Sequence, residues 1–119
     1  MRISELSAKT QVSVHRLRRY EADGLIESQR LPNGYREYDD KTVKHVIFIA
    51  MSREMGFSLP LIAEYLPRFK AGQLSAQDMI DAIHQRVAEI DQLMTEQKAL
   101  RKKLMDHIGW FETQQRKST

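Results

Sequence analysis

From Ser75 onward, Ile80, Ile83, Val87, Ile90 and Met94, then Leu104, Ile108 and Phe111, recur at spacings dominated by steps of three and four residues. That spacing describes one apolar seam along a helix, the pattern of a coiled coil. At 1.5 Å per residue the stretch from Ser75 to Ile108 reaches on the order of 50 Å. In a chain of 119 residues, what remains is too small to cover such a stripe along its length. The helix therefore needs a partner, and the simplest partner is a second copy of itself. The dimerisation residues expected from the seam are Ile80, Ile83, Val87, Ile90, Met94, Leu104 and Ile108. Gln97 and Arg101 are polar seam positions, flanked by Leu93 and Leu100, as expected where a straight helix drifts by about 20° per heptad. Ser75 and Asp78 read as a capping box that opens the helix.

The head in front of this helix divides by its caps and turns. Ser4 can cap a short helix carrying Ile3, Leu6 and Ala8, and Ser13 offers a second cap nine residues later. Two helices joined so tightly cross at a large angle, which is the helix-turn-helix arrangement. Gly24 suits the left-handed residue that closes the second helix. Asn33-Gly34 between "GLIES" and "YREY" predicts a type I′ hairpin, hence a two-stranded wing. Asp39 is the expected cap of a third helix, and Ser58 of a fourth that Pro67 bends or ends. The fold class is thus mainly α: a winged helix-turn-helix domain over residues 1–72, then a long coiled-coil helix with a short tail over residues 73–119.

The charge sits where this architecture could use it. Residues 1–72 carry twelve Lys/Arg against nine Asp/Glu, whereas residues 73–119 carry seven of each, so the whole +3 excess belongs to the head. At 100° per residue His15, Arg16 and Arg19 share one edge of the second helix, while Val14, Leu17 and Glu21 lie opposite. The second helix of a helix-turn-helix enters the major groove with its first residues nearest the bases. His15 and Arg16 hold that place, and arginine can bond guanine O6 and N7 together. Arg18, Arg19 and Tyr20 are expected at phosphates, as are Tyr35 and Arg36 of the wing.

Three stretches, "ISELSAKTQVSVHRLRRYEADGLI", "NGYREYDDKTV" and "MGFSLPLI", resemble in order and spacing the DNA-binding domain of the MerR family of bacterial transcriptional regulators. The resemblance runs from about Ile3 to Leu66, and the helix after it is similar to that family's antiparallel dimerisation coil. It implies a homodimer on an inverted repeat in promoter DNA, bending and untwisting the spacer so that RNA polymerase meets realigned recognition elements. It also implies His15, Arg16, Arg18, Tyr20, Tyr35 and Arg36 as DNA contacts. Gln11 stands where that family often has a turn glycine. The alternative for the same head is an architectural DNA-bending protein of recombination or chromosome organisation.

Other chemistry finds little footing. With no cysteine, disulfides, thiolate metal sites and the cysteine-based sensing of related regulators are unavailable to these residues. His45, His84 and His107 lack ligand spacing, so no metal and no cofactor is expected. Met51, Met55 and Met94 fit packing positions. Asp78 and Asp81 share a polar helix face with no cleft, and an enzyme is not expected. No run approaches the roughly 20 apolar residues of a membrane span, so the expectation is a cytoplasmic protein with no membrane partner. Trp110 and Phe111 form the last apolar cluster and are expected to pack on the partner subunit.

Overall fold

The computed structural model describes residues 1–118. Its elements in chain order are α1 (Ile3–Thr10), α2 (Val14–Ala22), β1 (Gln29–Arg30), β2 (Arg36–Glu37), α3 (Thr42–Glu54), α4 (Leu59–Lys70) and α5 (Ala76–Lys117). The chain divides into two compact units, Met1–Met79 and the rest of α5 from Ile80 onward.

Local chemistry sets most element ends. Ser13 Oγ accepts the Arg16 N–H at 3.1 Å and opens α2. Gly24, at φ 77°, closes it: its N–H reaches Glu21 O at 3.0 Å while the Leu25 N–H reaches Tyr20 O at 2.9 Å. Those two bonds form the Schellman closure, which needs a left-handed residue. The turn between α1 and α2 uses Gln11 at φ 61°, a conformation that costs a side-chain-bearing residue roughly 1 kcal/mol or more. Its own amide offsets part of this by donating to Ala8 O at 3.0 Å. Ser7 Oγ donates to Val12 O at 2.6 Å across the same turn, and Val12 is buried.

Four expected details come out differently. The cap of α1 is Arg2, with no side-chain bond, and Ser4 lies inside the helix. The chain is drawn into helix earlier because the Tyr38 N–H bonds Met1 O at 2.7 Å, pinning the segment just before α1. The hairpin is not type I′, since Gly34 has φ 88° but Asn33 does not share a positive φ. Gly34 N–H bonds Leu31 O at 2.9 Å, and Leu31 N–H bonds Tyr35 O at 2.7 Å. Pro32 presets the first central position of a type I turn, and the left-handed glycine follows it. Asp39 does not cap α3 directly: its Oδ1 accepts the Lys41 N–H at 2.8 Å, one turn ahead of a helix that begins at Thr42. Pro67 does not end α4, which runs on to Lys70 although the proline has no N–H to give to the carbonyl four residues before it.

The core of the first unit is built from one or two residues per element: Leu6 of α1, Leu17 of α2, Ile26 before the wing, Val46 and Ile49 of α3, and Ile62 of α4, each 2% exposed or less. Phe48 stacks on Phe69 at 4.4 Å and fastens α3 to α4. Buried Ser52 is satisfied by donating to Phe48 O at 2.8 Å. His45 is half-buried with its ring edge against Phe69, and burial lowers its pKa, as suits a packing histidine.

The capping box of α5 forms in both directions. Asp78 N–H bonds Ser75 Oγ at 3.0 Å, and Ser75 N–H bonds Asp78 Oδ2 at 3.0 Å. Arg68 adds a 2.9 Å ion pair from α4 to the same oxygen. The Ser75 bonds, and secondarily Arg68, hold the Asp78 carboxyl below its usual range. A depressed folded pKa contributes stability that is complete above the unfolded value of 3.8 and is lost as pH falls through the folded one. Asp78→Asn is therefore expected to lower the melting point by a few degrees at pH 7 and by less at pH 3, measured by circular dichroism.

Candidate nucleic-acid interface

The basic edge of α2 follows from its helical geometry. Leu17 is fully buried, so His15, Arg16, Arg18 and Arg19, all exposed, are turned away from the core. There is no acidic residue in the first turn, which leaves the positive end of the helix uncompensated. A cationic edge at a helix N-terminus is suited to a polyanion.

Tyr20 is placed differently from its arginine neighbours. It is 6% exposed, because it lies only about 60° round the helix from Leu17 and shares the buried side. Its hydroxyl accepts a 2.9 Å bond from Arg16 Nη2, one turn earlier. The sequence expects a phosphate contact here, whereas the structure gives Tyr20 a packed ring and an oxygen that holds the Arg16 guanidinium.

The wing brings Tyr35 and Arg36 to its outer side. Tyr35 is 55% exposed, and the Arg2 guanidinium stacks over its ring at 4.0 Å. Arg2 was not legible as a site residue, since it precedes α1 and meets the wing only through tertiary folding. Arg36 is ion-paired with Glu21 of α2, whose other oxygen accepts the Tyr38 hydroxyl at 2.7 Å. Burial first, then the bond to Glu21 and its charge, push the Tyr38 hydroxyl up to about 12, so it remains a donor at any ordinary pH. The structure thus joins α2 and the wing through one carboxylate, a connection that 15 residues of separation hide in the sequence.

The expected dimerisation residues share one long helix. Ile80, Ile83, Val87, Ile90, Met94, Leu104 and Ile108 are 40–65% exposed on α5, and Trp110 and Phe111, edge-to-face at 4.9 Å, are exposed as well. The helix runs on through Gly109 to Lys117, past the end of the seam. Among the described residues no group of three His, Asp or Glu is placed to hold a metal ion, and no helix is long and apolar enough to cross a membrane.

The family described as MerR HTH family regulatory protein matches residues 1–68, and the family described as MerR, DNA binding matches residues 43–107. The mercuric resistance operon regulatory protein of Bacillus cereus is 34% identical over 106 residues, covering 88% of this chain and 80% of its own length. The HTH-type transcriptional regulator HmrR of Rhizobium leguminosarum bv. viciae is 32% identical, over 91% of this chain and 83% of its own. Among solved structures, the lead(II) complex of the transcription regulator PbrR691 from Ralstonia metallidurans CH34 superposes with a TM-score of 0.71 at 29% identity, covering 89% of this chain and 83% of that one. HiNmlR, a MerR family regulator lacking the sensor domain and bound to promoter DNA, shares the fold with a TM-score of 0.59 at 19% identity, over 82% and 75% of the two chains. These relatives favour regulation of transcription over a purely architectural role. With the helix pair and wing inside the residues matched by the first family, much of the long terminal helix inside those matched by the second, and the Bacillus cereus relative spanning most of both, this chain belongs to the MerR family of DNA-binding transcriptional regulators.

Proposed function

We propose that the protein works in the cytoplasm as a homodimer on an inverted repeat in promoter DNA, and that it acts on RNA polymerase by bending and untwisting the spacer between its recognition elements. The observation that carries the dimer is the uncovered stripe on α5, whose seven seam residues are all at least 40% exposed. Contiguous apolar surface of that extent marks an interface. At 42 residues α5 is about 63 Å long, so only a partner of similar length covers the stripe.

Charge supports an antiparallel clasp. Residues 76–97 hold five acids and one arginine, whereas residues 98–117 hold six Lys/Arg and two acids. Antiparallel pairing sets each acidic half against a basic half, and parallel pairing sets like against like. Met94 is midway between Ile80 and Ile108, so a clasp centred on it puts Ile80 of one copy beside Ile108 of the other.

In this reading His15 and Arg16 face base edges, with Tyr20 steadying Arg16 from behind. Arg18, Arg19, Tyr35 and Arg36 serve as backbone anchors. Selection from a random duplex library tests both levels. The parent protein is expected to enrich an inverted repeat and to bind it with a steep salt dependence. Arg16→Ala relaxes the enriched sequence at one position of each half-site, with a loss of about 1–3 kcal/mol there. Arg36→Ala weakens all duplexes alike and lowers the salt slope by about one. Enrichment of single half-sites, or equal behaviour of the two variants, would overturn the assignment.

A further inference from the structure

Glu21 lies on the far side of α2 from the basic edge, yet it is the residue through which that helix meets the wing. One carboxylate oxygen pairs with Arg36 Nη1 and the other accepts the Tyr38 hydroxyl at 2.7 Å. Both anchors are firm: the Tyr38 side chain is 3% exposed, and the Glu21 side chain 16% exposed. Arg36, by contrast, remains about half exposed, and its guanidinium has more N–H groups than one carboxylate oxygen uses. The same arginine is therefore tied to α2 without being covered.

We propose that Glu21 is a positioning residue for DNA binding: it holds the wing's Arg36 at a set place relative to the recognition helix, so that groove and backbone contacts are made together. This rests on the DNA-facing role given to Arg36 above. The competing possibility, that Glu21 merely neutralises Arg36 and withholds it from phosphate, makes the opposite prediction. Removing a negative charge from a DNA-binding face strengthens binding if charge is all that matters. Losing the position of an anchor weakens it.

The test uses the full chain, a fluorescent duplex of random sequence and a salt series, with Glu21→Gln, Arg36→Ala and the double variant compared by anisotropy. Glu21→Gln keeps an oxygen for Tyr38 but loses the ion pair. It is expected to weaken binding about five- to tenfold near 0.1 M salt and to lower the salt slope by about one, the amount that one phosphate contact supplies. The double variant should bind no more weakly than Arg36→Ala alone, because both changes remove one contact. Tyr38→Phe, which leaves the charge and frees one carboxylate oxygen, is expected to shift affinity in the same direction by about two- to threefold at an unchanged salt slope. Tighter or unchanged binding by Glu21→Gln, or losses that add in the double variant, would overturn the proposal. If Arg36→Ala itself bound like the parent, the wing reading would fail instead, which keeps the two failures apart.

Discussion

Ile90→Asp is expected to turn the protein into a monomer at micromolar concentration and to lower its affinity for the selected inverted repeat roughly a hundredfold. Ile90 stands on the uncovered α5 stripe, four residues from Met94, the centre of the proposed clasp. An isologous interface carries every substitution twice, so one change places two carboxylates in the apolar seam. Each costs several kcal/mol when desolvated, and a fall of about 4 kcal/mol in dissociation free energy is roughly a thousandfold rise in Kd. Two heads on one duplex bind with an avidity that separate heads lose. Analytical ultracentrifugation reads the first effect and anisotropy on the full and half sites reads the second. A dimer that survives the substitution would refute the seam.

Leu17→Ala should be the most damaging single truncation in the head. Leu17 is fully buried and is the aliphatic anchor of α2. Deletion of such a side chain costs about 2–5 kcal/mol, of which the unfilled cavity is a large part. For a unit of this size, a loss near 3 kcal/mol lowers the melting point on the order of 15 °C. Because α2 also carries His15 and Arg16, DNA affinity should fall with the fold rather than independently of it. Thermal melting beside anisotropy at a temperature well below the transition distinguishes the two. A variant that melts like the parent would show that other residues hold α2 in place.

Several features of the site were readable because they depend on near neighbours. Ser13, Gly24 and the Ser75–Asp78 pair announce helix ends, and their bonds close within a few residues. The alternating stripe on α5 needs only the helical period. One difference is local in kind: the Asn33-Gly34 pair signals a hairpin correctly, while Pro32 selects a different turn. Tyr20 lies between Arg16 and Leu17 around the helix, and only packing decides which neighbour it joins.

By itself, then, the sequence determined the helices, the wing, the exposed basic edge and the apolar stripe of α5, since capping, periodicity and charge act over one or two turns. Tertiary structure alone decided that Tyr20 packs behind Arg16, that Arg2 stacks on Tyr35, and that Glu21 ties Arg36 and Tyr38 to the recognition helix. The last two arise between residues far apart along the chain, whose meeting depends on how the elements pack and leaves no repeat or spacing to read.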